Sequence, residues 1–427
     1  MKFAKVKGAE DFYPKDKAVQ NAVFASLRGT AARYCFDEVE TPAMESVALL
    51  TAKSGDEVRE QIFTLEKRGR EELGLRFDLT VPMTRMFVEK QRELPKPTKW
   101  FALSRMWRYE RPQKGRLREF YQLSAELFGS DLPAATTECV NLLIACLEDL
   151  GVTGKDVVVR LNNRKLLEGI VGAIAGKDVF EGVTRVIDKK RRISDAEFVA
   201  QLVELGLSKA AAAKVQRVSD IRGELDSVKE QLFAILSRDE LGEVGQEGLD
   251  DLAETLNALP EDSIEIDFSI ARGLAYYTGT VFECFDRAGK FRAIAGGGQY
   301  DKLTQLLGGE NCPAVGFGLG YSTLLLLLEE LGRLPALPAG PEYFIATTQD
   351  SVVGYALGLA VAMRRSFSVE IDVMGRPFAK QLTIANKLRC RNLIVIGPDE
   401  IQSGRVKVKN MATGEETVMP ISALMSQ

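Results

Sequence analysis

The stretch 271–283, ARGLAYYTGTVFE, places Arg272 a few residues before Tyr276 and Tyr277. An arginine fork is planar and permanently charged, so it suits a phosphate or carboxylate ligand. Adjacent phenols are typical of a buried core, but they can also hydrogen-bond and stack on the ring of a ligand. The spacing alone therefore leaves both a binding site and an ordinary core open.

Other polar residues occur where strands of a sheet are expected to end. They lie in LRFDLTVP (75–82), in the segment 108–126 and in AGGGQYD (295–301). Arginines on two separate strands could hold a phosphate while carboxylates hold an ammonium group, and a glycine-rich backbone lets a ligand approach closely. Together these features indicate a nucleotide-using enzyme, although each one alone is also typical of a turn or a core.

Histidine is absent from the 427 residues. Serine–histidine triads, histidine metal sites and histidine general bases are therefore excluded. The six cysteines are scattered without a CxxC pair, so we expect no zinc site or disulfide framework, and most should be small buried side chains. Any catalysis must use carboxylates, arginines, lysines, tyrosines, thiols or bound metal ions.

Composition is that of an ordinary globular protein, with 45% hydrophobic and 27% charged residues and a net charge of −4. No apolar run approaches the ~20 residues that span a bilayer, and the N-terminus lacks a signal-peptide stretch, which favours a cytoplasmic protein. Charge is uneven, because cations interleaved with aromatic rings dominate residues 105–120. That stretch is typical either of a solvated hairpin or of a contact with phosphate or nucleic acid.

The positioning elements can be predicted from periodicity. Helical spacing covers 16–34 and 134–150. Two strands that flank the basic segment RPQKGRLR indicate an antiparallel hairpin with a long loop. The strands expected in this part of the chain are 61–67, 73–78, 98–110, 119–129 and 156–162.

The pattern changes between 165 and 256, where charge runs and an alanine-rich segment predict a helical insertion. Strand patterns resume at 263–270 and continue to residue 320, before an apolar helix. The proline-rich segment 333–340 is expected to be a linker. Beyond it, strands alternate with helices, which predicts a separate domain with a mostly parallel sheet and a final hairpin.

Several motifs in one order resemble those of the histidyl-tRNA synthetases, a family of class II aminoacyl-tRNA synthetases. FDEVETP (36–42) resembles motif one, whose proline lies at the dimer interface, and residues 106–129 are similar to motif two. RGLAYYTGTVFE (272–283) and AGGGQYDKL (295–303) resemble the two histidine-specific motifs. The segment from 379 to 416 is similar to the anticodon-binding domain, so the resemblance runs nearly end to end.

The resemblance implies an α/β fold, with a class II antiparallel β-sheet flanked by helices. The catalytic core would comprise 1–164 and 257–332, separated by the helical insertion 165–256. The linker 333–340 would lead to a C-terminal α/β anticodon-binding domain, 341–427. The family resemblance also implies a cytoplasmic homodimer that uses ATP and Mg²⁺ to ligate L-histidine to tRNA(His). The reaction would pass through a histidyl-adenylate and release AMP and pyrophosphate.

The resemblance also implies roles for individual residues. Arg108 and Arg272 would bind the α-phosphate of ATP from opposite sides as catalytic residues, and Glu110 would hold the adenine. The residues implied to contact the substrate histidine are Asp78, Gln122 and Glu126 around its amino group, Tyr276 and Tyr277 around its imidazole, and Thr80 in the pocket wall. Those implied to lie near the tRNA acceptor end are Arg111, Lys114 and Arg116, and no protein group is assigned to a metal.

Three positions depart from the family pattern. Ala275 stands where aspartate is common, and Gln299 stands where arginine is usual. Motif three usually ends in glutamate–arginine, whose arginine helps to bind ATP, but here Ser322 and Thr323 follow Tyr321. The contact to the γ-phosphate of ATP therefore has no assigned residue.

A competing interpretation is the synthetase-like regulatory subunit of ATP phosphoribosyltransferase, which senses histidine without aminoacylation. The altered motif three would suit it, whereas the anticodon-binding segment and the intact Arg108 and Arg272 favour the enzyme. The sequence leaves open which residues read the anticodon and the 5′ end of the tRNA. It also leaves open whether the absence of histidine reflects selection under histidine scarcity or deliberate removal.

Overall fold

The chain divides into two compact units, Met1–Pro335 and Ala336–Gln427. Each unit has a hydrophobic core of its own. All six cysteines are free and all but Cys35 are buried, as expected. Within the described residues no helix is long and apolar enough to cross a bilayer. The computed structural model describes residues 3–52, 59–67, 69–272, 276–336 and 340–425.

A nine-stranded sheet forms the centre of the first unit. The strands of this unit are β1 (Asp37–Glu38), β2 (Met44–Ser46), β3 (Leu73–Leu75), β4 (Thr98–Trp107), β5 (Glu119–Phe128), β6 (Val157–Asn163), β7 (Arg222–Gly223), β8 (Ile264–Asp267), β9 (Thr280–Asp286), β10 (Ala295–Tyr300) and β11 (Ala314–Gly320). The order across the sheet is β1-β4-β5-β11-β10-β9-β6-β8-β7, while β2 and β3 form a separate pair.

The middle of this sheet is antiparallel. Every neighbouring pair from β4 across to β6 runs in opposite directions, and only the β1–β4 and β6–β8 pairs are parallel. The predicted hairpin with a long loop is confirmed, because β4 pairs with β5 from Thr98↔Phe128 to Trp107↔Glu119. The expected antiparallel sheet flanked by helices is therefore present.

Helices cover the sheet and fill the segment between β6 and β8. The longest ones that pack on the main core bury apolar residues such as Leu27 of the first helix and Leu143 of the fourth. The helices of this unit are α1 (Pro14–Arg33), α2 (Val47–Thr51), α3 (Thr80–Lys90), α4 (Pro133–Glu148), α5 (Arg164–Ala175), α6 (Phe180–Lys189), α7 (Asp195–Glu204), α8 (Lys209–Ser219), α9 (Leu225–Phe233), α10 (Arg238–Leu256), α11 (Leu303–Leu306) and α12 (Tyr321–Glu330).

The helices α5 to α10 fill the segment for which the charge pattern predicts a helical insertion. Ser194, Ser208 and Ser237 precede three of them, and each serine side chain accepts a hydrogen bond from a backbone N–H of the first turn. Part of the segment packs around a small core of its own that includes Val183 and Phe198. Local capping and a separate apolar cluster thus explain why this stretch folds as helices.

The second unit is a five-stranded sheet with helices. Its strands are β12 (Tyr343–Thr347), β13 (Val369–Ile371), β14 (Asn392–Ile396), β15 (Arg405–Asn410) and β16 (Glu416–Pro420), and its helices are α13 (Val353–Met363), α14 (Phe378–Lys387), α15 (Pro398–Ser403) and α16 (Ile421–Met425). The strand order is β13-β12-β14-β15-β16. The first three strands are parallel and the predicted hairpin β15–β16 is antiparallel, so the sheet is more evenly mixed than expected.

The predicted strand over 61–67 is wrong. Only Thr64 forms an isolated bridge there, to Gly74, and the backbone bonds of Phe63 and Leu65 reach the same short strand β3. Because β3 has three residues and pairs on its other side with β2, it offers too little edge to extend a second ladder.

Candidate active site

A cavity of about 670 Å³ is bounded by the central strands of the main sheet and the loops next to them. The predicted site residues that line it are Asp78, Thr80, Arg108, Glu110, Arg116, Gln122, Arg272, Tyr276 and Tyr277. Of the remaining predicted residues, Glu126 lies behind the lining residue Tyr300, to which it is hydrogen-bonded. Arg111 and Lys114 are exposed and do not line the cavity.

Arg108 follows the end of β4 and enters the cavity from the β4–β5 pair. Its Nε donates a hydrogen bond of 2.9 Å to the carbonyl oxygen of Phe77. Burial lowers the pKa of Arg108, with Asp78 opposing this change and the guanidiniums of Arg272 and Arg292 adding to it. Because a guanidinium stays charged in proteins, this crowding leaves a positive site that an anion would stabilise.

Arg272 approaches the same cavity from the segment before β9, with a left-handed φ of 45° that costs energy for a residue with a Cβ. Its Nη1 donates to Glu283 Oε1 at 2.8 Å, and its Nη2 donates to the Tyr277 hydroxyl at 3.3 Å. A Cβ at Gly296 on β10 would overlap with Nη1, so only glycine leaves room for the guanidinium there. Burial alone would lower the pKa of Arg272, but Tyr277, Glu283 and Tyr276 outweigh it and raise the pKa.

Three tyrosine rings and a buried carboxylate lie next to the two arginines. The ring centres of Tyr276 and Tyr277 are 4.3 Å apart, and those of Tyr276 and Tyr300 are 5.7 Å apart. The Tyr300 hydroxyl donates a hydrogen bond of 2.7 Å to Glu126 Oε2. Burial, then Tyr277 and Asp78, raise the pKa of Tyr276 well above its usual value, so its hydroxyl stays protonated near neutrality. Such a pocket can face an aromatic ring and accept hydrogen bonds from an ammonium group.

The loop between β4 and β5 places its cations in different surroundings. Arg116 forms an ion pair with Glu110, and both side chains line the cavity. Arg111 and Lys114 are exposed, and the Nζ of Lys114 lies 6.0 Å from the centre of the Phe291 ring. Of the three cations that the resemblance places near the tRNA end, one lines the cavity and two are accessible beside it.

Among the positions that depart from the family pattern, those of motif three lie at the cavity. Ser322 and Thr323 line it, and the Thr323 hydroxyl donates to the Gly115 carbonyl oxygen at 3.5 Å. Gln299 points elsewhere, because its Nε2 donates to the Asp131 carbonyl oxygen at 3.1 Å. Ala275 lies outside the described residues. The altered motif three therefore leaves uncharged hydroxyls on this wall.

Arg76, one of the polar candidates near the strand ends, does not reach the cavity. It is 4% exposed, and its guanidinium donates to the carbonyl oxygens of Arg105 at 3.1 Å and Pro42 at 3.3 Å. It therefore fixes the chain segment after β1 against β4.

Sequence reasoning assigned no role to three residues of the site. Glu283 pairs with Arg272, Tyr300 bonds to Glu126, and Arg292 lines the cavity without an assigned role. The motifs held a signal for the first two, because Glu283 ends one histidine-specific motif and Tyr300 lies in the other. No motif included Arg292, which the fold alone brings to the cavity.

Comparisons with known proteins agree with this architecture. A family model described as histidyl-tRNA synthetase matches residues 8–324, and one described as an anticodon binding domain matches 342–427. A histidine–tRNA ligase of Haloarcula marismortui is 35% identical, over 98% of this chain and 96% of that protein. The crystal structure of histidyl-tRNA synthetase from Nostoc sp. PCC 7120 has a TM-score of 0.81 and 25% identity, over 99% of this chain and 98% of that chain.

A further solved structure bears on the competing interpretation. A protein from Bacillus halodurans C, described as an ATP phosphoribosyltransferase regulatory subunit/histidyl-tRNA synthetase, has a TM-score of 0.75. It is 21% identical, over 92% of this chain and 98% of that chain, so the likeness shows the fold alone.

The large sheet flanked by helices and the second sheet unit define a class II aminoacyl-tRNA synthetase with an anticodon-binding domain. Within that class, the chain belongs to the histidyl-tRNA synthetase family. The family and the fold class predicted from the sequence are thereby confirmed. The roles of single residues stay predictions.

Proposed function

We propose that this chain is a histidine–tRNA ligase, which uses ATP to join L-histidine to tRNA(His) through a histidyl-adenylate. The main support is that Arg108 and Arg272 enter one cavity from separate parts of the sheet, beside a pocket of phenols and a buried carboxylate. Two fixed cations suit a phosphate, and the pocket suits an amino acid that carries an ammonium group and a polar ring.

In the first step, a carboxylate oxygen of histidine forms a bond to the α-phosphorus of ATP. The bond from that phosphorus to the bridging oxygen breaks, and its electron pair leaves with pyrophosphate. Negative charge increases on the non-bridging oxygens, where Arg108 and Arg272 would stabilise it. Arg272 is held by Glu283 and Tyr277 before the ligand arrives, so little reorganisation is needed.

The substrate histidine would occupy the tyrosine-lined pocket, with Thr80 in its wall. Asp78, Gln122 and Glu126 would accept hydrogen bonds from the ammonium group, while Tyr276 and Tyr277 would contact the imidazole. A site that hydrogen-bonds a polar side chain rejects apolar analogues strongly, because its own buried groups would be left unpaired. Glu110, on the motif-two loop, would hold the adenine.

In the second step, a hydroxyl of the terminal adenosine of tRNA attacks the carbonyl carbon of the adenylate, and AMP leaves. Neither step requires a histidine side chain on the protein. Arg111 and Lys114 are exposed, so they can contact tRNA phosphates. Arg116 would make the same kind of contact once its ion pair with Glu110 is broken. The unit that contains 341–427 would read the anticodon.

Magnesium is expected to enter with the nucleotide as MgATP. Among the described residues, no group of three or more aspartate, glutamate or cysteine side chains could hold a metal ion. Glu283 and Glu110, two carboxylates of the cavity lining, are paired with Arg272 and Arg116. We therefore assign no protein ligand to magnesium.

We retain the division into a catalytic core (1–164 and 257–332), a helical insertion (165–256), a linker (333–340) and an anticodon-binding domain (341–427). The enzyme would act as a homodimer in the cytoplasm, where tRNA is charged. FDEVETP would lie at the dimer interface, as its resemblance to motif one implies.

The regulatory-subunit interpretation is the second candidate, and the uncharged motif three is the observation that favours it. The match of 342–427 to an anticodon binding domain favours the ligase, since a histidine sensor has no need to read an anticodon.

Charging of tRNA separates these two functions. The wild-type chain, ATP and radiolabelled histidine should yield acid-precipitable histidyl-tRNA with tRNA(His), and none with a tRNA whose anticodon and acceptor end differ. Binding of histidine without any charging would contradict the ligase and favour the sensor.

A further inference from the structure

Eight arginines line the cavity, and their partners differ. Arg108 and Arg287 donate to backbone carbonyl oxygens. Arg192 and Arg292 make no ion pair and no side-chain hydrogen bond to any described residue. Those paired with carboxylates are Arg116, Arg160, Arg191 and Arg272. Besides Arg108, which is assigned to the α-phosphate, the lining thus holds two guanidiniums without a described hydrogen-bonding or ion-pair partner.

The segment that carries Arg292 contacts the altered motif-three region on both sides of that residue, through Ile294 and Lys290. The β10–β11 register pairs Ala295 with Leu319, and one residue earlier the Gly320 N–H donates to the Ile294 carbonyl oxygen at 3.0 Å. Arg292 lies two residues before Ile294, and both Arg292 and Ser322, in the first turn of α12, line the cavity. The segment before β10 therefore brings a cation to the cavity that Ser322 and Thr323 line without charge.

The backbone that carries Arg292 is held in place. The Asp286 carboxylate accepts hydrogen bonds from the N–H groups of Lys290 at 2.7 Å and Phe291 at 2.9 Å. The Lys290 side chain pairs with Glu330 of α12. Arg292 is thus anchored on one side by β9 and on the other by the helix of motif three, while its own side chain is exposed at the cavity.

Arg292 also contributes to the positive field that Arg108 and Arg116 experience. Burial lowers the pKa of Arg116, and Arg292 lowers it further. The same guanidinium contributes to the lowered pKa of Arg108. Arg192 also lowers the pKa of Arg116. It lies in the short helical turn Lys190–Arg192, between α6 and α7, and not in a segment next to the central strands.

We propose that Arg292 binds the β- and γ-phosphates of ATP and so supplies, from the segment before β10, the cation that motif three lacks. This contact rests on the proposed function, and it concerns the pyrophosphate that leaves. Arg108 and Arg272 remain the partners of the α-phosphate, and the histidine pocket is unaffected.

Calorimetric titration with two probes tests this contact. MgATP carries the terminal phosphates, whereas histidyl-sulfamoyl-adenosine, an analogue of the adenylate, has none. Arg292→Ala should weaken MgATP binding roughly 10- to 100-fold, the usual loss for a hydrogen bond to a charged group, and leave the analogue within about twofold. Arg292→Lys, which keeps a charge but loses the fork, should fall between wild type and Arg292→Ala.

Arg192→Ala is the matched control, because it removes the other unpaired arginine of the cavity. It should leave binding of both probes within about twofold of wild type. An equal loss of MgATP affinity in Arg192→Ala and Arg292→Ala would overturn the assignment. So would unchanged MgATP binding in Arg292→Ala, or an equal loss of the analogue.

These outcomes can be told apart from failure of the proposed function, because binding is measured without turnover. If the wild type charges no tRNA but Arg292→Ala still loses MgATP selectively, the ligase function is wrong and the phosphate contact holds. If the wild type charges tRNA and Arg292→Ala binds MgATP normally, the contact is wrong and the function holds.

Discussion

Glu126 and Tyr300 form a buried polar contact at the candidate histidine pocket. Their hydrogen bond is 2.7 Å long, and both residues are 1% exposed. Burial, then Glu126, raise the pKa of Tyr300, so its hydroxyl keeps its proton and remains a donor near neutrality. The family resemblance assigned a role to Glu126 but did not identify Tyr300 as its partner. The two residues are 174 positions apart in the chain, and the strand order β5–β11–β10 brings them together.

Tyr300→Phe removes this donor and leaves the ring in place. A hydrogen bond to a charged group is worth about 1.5–3 kcal/mol, so we expect histidine binding to weaken about tenfold or more. MgATP binding should not change, because the hydroxyl donates to Glu126, whose proposed partner is the ammonium group of histidine. Equilibrium dialysis with radiolabelled histidine measures the first quantity. Tyr343→Phe, which removes a hydroxyl from the second unit, is the control, and equal histidine affinity in both variants would refute the role of Tyr300.

At the scale of elements, glycines in two neighbouring strands make room for the site. Gly316 of β11 pairs in register with Glu126 of β5, and a Cβ at Gly316 would overlap with the Glu126 carboxylate. A Cβ at Gly318 would likewise overlap with the Gln122 amide. The run Gly296–Gly298 belongs to strand β10 and is not the turn that three glycines often indicate.

Gly316→Ala should displace Glu126 and abolish measurable histidine binding. It should also lower the midpoint of thermal unfolding, since overpacking a core costs about 1–3 kcal/mol. Gly358→Ala on α13 is the matched control, because nothing lies within 4 Å of the added Cβ and alanine favours helix. Differential scanning fluorimetry with and without histidine reports both effects. A histidine-induced shift in Gly316→Ala equal to that of the wild type would contradict the close approach.

Periodicity located most elements because burial alternates locally along the chain. The predicted strand 119–129 is Glu119–Phe128, and the predicted helix 134–150 is Pro133–Glu148. The strand predicted over 61–67 failed because a ladder also needs a partner with a free edge, which local pattern cannot supply. For the same reason the presence of Arg292 and Ser322 at one cavity followed from the fold and not from any motif.

At the scale of the whole molecule, the absence of histidine simplifies the response to pH. No side chain of the protein has an ordinary pKa between about 5 and 8, so the imidazole bound in the site would belong to the substrate. Arg108 and Arg272 face that site, and Tyr276 stays protonated as a donor. The carboxylates Asp78 and Glu126 would be engaged by the ammonium group of histidine. The remaining groups therefore favour a neutral imidazole, whose nitrogen accepts a hydrogen bond, over a third cation.

We therefore expect the pKa of bound histidine imidazole to fall below its free value of about 6.5. Because the bound pKa is lowered, the affinity is complete above the free pKa and is lost as the pH falls through it. Nitrogen-15 NMR of labelled histidine measures this directly, since the protein contributes no imidazole signal. An imidazole that stays protonated in the complex at pH 7 would contradict this description of the pocket.

The central claim is that two arginines on separate parts of one sheet activate histidine with ATP. Histidine-dependent exchange of labelled pyrophosphate into ATP tests it most directly, in the wild type, Arg272→Ala and the control Arg191→Ala, which removes a paired arginine of the same cavity. We predict exchange in the wild type and in Arg191→Ala, and a loss of about 10²–10³-fold or more in Arg272→Ala with histidine still bound. Wild-type protein that binds histidine and ATP but shows no exchange would contradict the account.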